Sequence, residues 1–168
     1  VRRILDETGL EPGRLELEIT EAVVLNDPAA AESTIMDLRA MGVRMTLDDF
    51  GSGHASLLYL RRFAFDKIKL DRTLVQTMES TGESAMIVRT TLELADGLGL
   101  AVTAKGVETE EQQALLKTFG CKEVQGFQQA PALPLEALCD LLAAREAAAA
   151  RDAAVIPFIA GGTQRRDI

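Results

Sequence analysis

A chain of 168 residues, 47% of them hydrophobic, is long enough to bury one real core and short for more than one domain. Its net charge of −8 argues against a general nucleic-acid-coating surface and against an anionic membrane as partner. An anionic ligand is not excluded, because a bound metal ion can invert the local field. No apolar run approaches the ~20 residues of a membrane span, and no secretory signal opens the chain. The expectation from these features is a cytoplasmic protein. Cys121 and Cys139 stand in no CxxC context and read as ordinary buried thiols of a reducing compartment.

Val1 to Thr8 has helical spacing, and Gly9 is a suitable stop. The sequence starts inside that helix, as a fragment does. Leu15 to Thr20 alternates apolar and polar residues, so Leu17 and Ile19 face one side and Glu16 and Glu18 the other. Asp27 as N-cap and Pro28 at the first helical position open a helix that Gly42 ends. Val43 to Leu47 is a strand that leads into Asp48, Asp49 and a Gly-Ser-Gly turn. A short helix from about Ser56 to Arg62 precedes the strand Lys67 to Asp71. Glu83 to Leu98 is a longer amphipathic helix stopped by Gly99, and Leu100 to Val107 is the next strand. Thr109 and Gln112 form a capping box for the following helix. A short strand, Glu123 to Gln125, comes next. The last helix runs from about Pro134 to Arg151, with Leu135, Leu138 and Leu142 expected inward. Residues 1–152 are expected as one partial domain and 153–168 as a loose tail.

Strands alternating with helices at this spacing make βα units around a parallel sheet. In such folds the reactive groups stand at the C-terminal ends of the strands. Those positions here carry Glu18 and Glu21, then Asp48 and Asp49, Lys69, Lys105 and Glu108, and finally Gln125. Each alone has a dull explanation as a cap, a loop amide or a solvated charge. Together they describe a mouth with carboxylates for hard cations and a cationic group beside them. That is the composition of two-metal phosphoryl chemistry, in which paired divalent ions generate hydroxide and stabilise the leaving oxygen. An unspecified β/α-barrel enzyme is the other reading of the same pattern.

The motifs LELEITEA, LDDFGSGHASLLYL, IKLDRTLV, GLAVTAKGVETEEQ and GCKEVQGF follow one another in this chain. Their order and spacing resemble the EAL domain, a bacterial cyclic di-GMP phosphodiesterase module. The resemblance implies a TIM-like (β/α) barrel, here incomplete at about five βα units, with the first strands lying upstream of Val1. It implies hydrolysis of cyclic di-GMP to linear pGpG with Mg²⁺ or Mn²⁺ in a two-metal site that this chain fills only in part. Glu18, Asp48 and Asp49 match the metal-binding carboxylates, and Lys69 matches the lysine beside the attacking water. Glu21 matches an acid that braces the loop after the Asp pair, while Glu108 and Gln125 match further substrate-associated positions. Cyclic di-GMP is the implied ligand, and a homodimer or an upstream sensor or diguanylate cyclase domain the implied partner. No nucleic-acid polymer is implied.

One departure outweighs the matches. The family's AEGVET reads AKGVET here, so Lys105 replaces a glutamate that serves as metal ligand and general base. A protonated lysine neither ligates a cation nor accepts a proton. Unit charges ~4 Å apart interact by about 4 kcal/mol at an effective dielectric near 20. Only a strongly lowered lysine pKa would escape this. His54 and Ala55 also stand where the family has Tyr and Ser, and Pro131 where a basic residue is common. The leading expectation is a phosphodiesterase module whose hydrolysis is impaired. The alternatives are a regulatory module that binds cyclic di-GMP without turnover, and a broken gene product.

Overall fold

A computed structural model describes residues 1–52 and 57–154. Helix α1 (Arg2–Thr8) ends at Gly9, whose φ of 65° lets its N–H return to the Leu5 carbonyl. Strand β1 (Glu16–Thr20) runs directly into α2 (Glu21–Asn26). Helix α3 (Pro28–Ala40) starts as expected, with the Asp27 carboxylate accepting from the Ala30 N–H at 3.0 Å. Then come β2 (Arg44–Phe50), α4 (Leu57–Arg62), β3 (Lys67–Leu70), α5 (Arg72–Thr77) and α6 (Gly82–Leu98). Strand β4 (Ala101–Lys105), α7 (Glu110–Thr118), β5 (Glu123–Gln125) and α8 (Leu135–Ala154) complete the order. The capping box forms: the Thr109 hydroxyl accepts from the Gln112 backbone N–H, and the Gln112 side-chain Oε1 accepts from the Thr109 backbone N–H.

The strands form one parallel sheet in the order β1-β2-β3-β4-β5. Its two faces are chemically opposite. Met45, Leu47, Ile68, Leu70, Val102 and Ala104 point into a core shared with Ile35 of α3, Val88, Leu92 and Ala95 of α6, and Leu116 of α7. All are buried, Ile68 and Leu70 completely. The period of two sends the intervening residues to the other face. There stand Glu16, Glu18, Thr46, Asp48, Lys67, Lys69, Thr103, Lys105, Glu123 and Gln125; contacts across strands join Glu16 to Thr46 and Lys67, Glu18 to Lys69, Glu123 to Thr103, and Asp48 to Lys105. In a barrel, that polar face is the interior.

The chain divides into two units, Val1–Gln129 and Ala130–Ile168. In the second, Leu135, Leu138 and Leu142 of α8 are exposed, not inward as the spacing suggests. Periodicity defines an apolar stripe but not what covers it. Cys139 is likewise exposed, while Cys121 is half-buried with its thiol pKa raised by burial. The short helices α2 and α5 were not foreseen. Six residues are too few to show a helical period, and Asp71 reads as a strand end when it is the N-cap of α5, accepting from the Thr73 N–H at 2.8 Å.

Candidate functional site

The polar face is organised in tiers that climb toward the C-terminal ends of the strands. In the lowest, Lys67 Nζ reaches Glu123 at 2.8 Å and Glu16 at 3.3 Å. The Thr46 hydroxyl donates to Glu16 and the Thr103 hydroxyl to Glu123, each at 2.8 Å. None of these residues was singled out as functional from the sequence. The signal was present, since Glu16, Lys67 and Glu123 stand two residues before Glu18, Lys69 and Gln125 on the same strand faces.

One step higher, Lys69 Nζ donates to both oxygens of Glu18, at 2.8 and 2.9 Å. Lys69 is buried, so its ammonium is fixed in place by that carboxylate. At the rim, Lys105 Nζ lies 2.7 Å from Asp48 Oδ1 and 2.5 Å from Asp49 Oδ1. Simple alternation would send Asp49 to the opposite face from Asp48. The register between β2 and β3 shifts between Leu47 and Phe50, and Asp49 takes φ 57°, so both carboxylates turn toward Lys105. Aspartate tolerates this left-handed conformation better than most residues. Strand β2 therefore continues through the acid pair instead of ending before it.

The charges answer one another. Burial alone would lower the Lys105 pKa, but the hydrogen bonds and negative charges of Asp48 and Asp49 outweigh it and raise it. Burial likewise pushes Asp48 up, yet the Lys105 bond, the Asp49 backbone N–H and the charges of Lys105 and Lys69 hold it below the ordinary aspartate value. A lysine of lowered pKa was the one way for position 105 to accept a proton. The shift runs the other way, and Lys105 is firmly an ammonium.

The remaining site residues are placed less centrally. Gln125 is paired in register with Lys105, beside the rim, and is exposed. Glu108 is exposed and accepts from Gln76 Nε2 at 3.0 Å, tied to α5 and not to the acid pair. Glu21 is buried at the start of α2. Of the loop it was expected to brace, residues 53–56, which include His54 and Ala55, lie outside the described residues.

Glu18, Asp48 and Asp49 are hard oxygen donors suited to divalent cations. Their arrangement does not suit them. Among the described residues, no group of three or more His, Cys, Asp or Glu side chains lies where it could hold a metal ion. Glu18 is bound by Lys69, and the Lys105 ammonium stands where a cation bridging Asp48 and Asp49 would be. A cavity of about 640 Å³ opens elsewhere, at the start of β4, between Leu92, Leu100, Phe119 and Cys121. It lies at the opposite end of β4 from Lys105 and contains none of the strand-end residues.

The model of the EAL domain family matches residues 1–132. The chain belongs to the EAL domain family. A Caulobacter vibrioides "uncharacterized signaling protein" is 44% identical to this EAL domain over 138 residues, which is 82% of the chain and 17% of that protein. The "bifunctional diguanylate cyclase/cyclic di-GMP phosphodiesterase MucR" of Pseudomonas aeruginosa is 40% identical over 138 residues, 82% of the chain and 20% of MucR. The MucR phosphodiesterase, solved as a cyclic di-GMP complex, superposes with a TM-score of 0.78 over 82% of this chain and 56% of that one. Klebsiella pneumoniae BlrP1, solved as a manganese and cyclic di-GMP complex, superposes with a TM-score of 0.70 at 36% identity, over 73% of this chain and 31% of BlrP1. The EAL domain described here is thus part of a TIM-like barrel, with the five-stranded parallel sheet as its wall. The chain spans about a fifth of the length of the first curated relatives it matches. No helix among the described residues is long and apolar enough to cross a membrane.

Proposed function

We propose that this EAL domain is a cyclic di-GMP module whose hydrolysis to pGpG is impaired or absent. The observation that carries the reading is the Lys105 ammonium lodged between Asp48 and Asp49. Family membership and the cyclic di-GMP complexes of its relatives support the ligand. The Lys69–Glu18 pair supports a strand-end lysine and acid acting together at the mouth. In the proposed roles Glu18, Asp48 and Asp49 are the carboxylates toward which Mg²⁺ or Mn²⁺ would be drawn, and Lys69 orients the water. Gln125 and Glu108 border the ligand, and Glu21 supports the loop after the acid pair. With Lys105 protonated, the general-base position is blocked and one of the two negative charges of the acid pair is already offset. We place the domain in the cytoplasmic part of a longer bacterial signalling protein, beside a sensor or diguanylate cyclase domain or as a homodimer, and take residues 1–152 as the partial domain and 153–168 as its tail.

The test is a pair of measurements on the full-length parent. Conversion of cyclic di-GMP to pGpG with Mg²⁺ or Mn²⁺ is expected near background, and calorimetric titration is expected to show micromolar binding. Robust turnover by the unmodified parent defeats the impaired reading. Absence of both binding and turnover defeats cyclic di-GMP as the ligand.

A further inference from the structure

We propose that Lys105 is a tethered cation that takes the place of a divalent ion between Asp48 and Asp49, so that ligand occupancy of this mouth does not depend on divalent metal. The inference rests on the reading of the mouth as a cyclic dinucleotide site. Three observations carry it. Lys105 Nζ contacts one oxygen of each aspartate, at 2.7 and 2.5 Å, which is the bridging position that a shared cation would need. The backbone is bent to make that position, because only the left-handed Asp49 and the register shift bring the second carboxylate to the first. The third carboxylate, Glu18, is drawn off by Lys69, so no three-acid group is left among the described residues.

The stoichiometry of donors makes such a mouth usable. An ammonium has three N–H donors and no acceptor. Lys105 spends one on each aspartate, and Lys69 spends two on Glu18. One donor remains on each lysine for a phosphodiester oxygen. The three carboxylates and two ammonium groups leave one net negative charge at the rim. The site therefore gains no ion-driven attraction for a dianion, and its recognition leans on hydrogen bonds. A divalent ion entering between the aspartates would have to displace an ammonium that is covalently attached, and so always present at high local concentration.

Mn²⁺ binding to the full-length parent, followed by the loss of the free-ion electron paramagnetic resonance signal, tests this directly. Lys105→Glu and Lys105→Gln are each expected to gain about one Mn²⁺ site per chain over the parent. In the parent, Asp48→Asn is expected to leave the Mn²⁺ stoichiometry unchanged, and this arm holds even if the Lys105 variants fold poorly. Loss of a Mn²⁺ site in Asp48→Asn would overturn the proposal. A parallel calorimetric titration with cyclic di-GMP, in chelator and in millimolar Mn²⁺, is expected to give affinities equal within about twofold. Binding that vanishes in chelator would also overturn it. If cyclic di-GMP binds under neither condition, the ligand assignment fails, while the Mn²⁺ arms still decide whether Lys105 holds the cation position.

Discussion

Replacing Lys67 by Met tests whether the lowest tier of the polar face supports the sheet beneath the site. The substitution keeps an unbranched side chain one atom shorter and removes one charge. Lys67 is 17% exposed and serves two carboxylates, Glu16 at 23% and Glu123 at 46% exposure. Breaking a fully buried pair costs ~3–5 kcal/mol, whereas exposed pairs are worth ~0.2–1 kcal/mol. Both glutamates keep a threonine hydroxyl at 2.8 Å, so neither is orphaned. The loss is therefore intermediate, ~1–3 kcal/mol. With a urea slope of about 2 kcal/mol per molar, the unfolding midpoint falls by ~0.5–1.5 M. A double-mutant cycle with Glu123→Gln separates the pair from general loss, with coupling expected above ~0.5 kcal/mol. A single-variant loss under ~0.5 kcal/mol, or a strictly additive cycle, refutes the idea that this tier holds the strands together.

The same tier predicts a pH dependence. The Lys67 hydrogen bond, against a smaller opposing effect of burial, holds Glu123 below the ordinary glutamate value, with Thr103 and the charges of Lys67 and Arg44 adding to the shift. Its stabilisation is present above that ordinary value and lost as pH falls through the depressed one. Burial alone would lower Lys67, but Glu123 and Glu16 raise it, so its stabilisation is present below the ordinary lysine value and lost as pH climbs through the raised one. Acid and alkaline unfolding followed by circular dichroism should both flatten in Lys67→Met, and unchanged profiles would contradict the assignment. Gly126→Ala places a methyl 2.0 Å from the Val107 carbonyl oxygen and 2.5 Å from its N–H nitrogen. Neither backbone atom can yield locally, so the bond from Val107 N–H to the Gln125 carbonyl should break, read as faster exchange of that amide. Ile68→Ala empties a fully buried position in the middle of the sheet and should cost ~2–5 kcal/mol in urea unfolding.

The elements that were legible in sequence are those fixed by local chemistry. Gly9 and Gly99 stop helices because their left-handed φ suits glycine, and Asp27, Thr109 and Gln112 start them because their side chains reach the first free N–H groups. The alternation in β1 and β3 gave the polar face, because a strand has only two sides. What was not legible depends on where long or bent groups go in space. The charge of Lys105 is plain in the sequence, but only the fold shows its ammonium reaching across to bond both aspartates. The turn of Asp49 comes from a register shift against β3, a contact between segments distant in sequence. Glu108 is held by Gln76, which belongs to a helix too short to announce itself.

The most direct measurement is the rate of pGpG formation from cyclic di-GMP by the full-length parent and its Lys105→Glu variant, in Mn²⁺ or Mg²⁺. The account predicts a rate near background for the parent and a clear rise for the variant, since a carboxylate at position 105 frees Asp48 and Asp49 and can itself take a proton. Equal and rapid turnover by both proteins would contradict it.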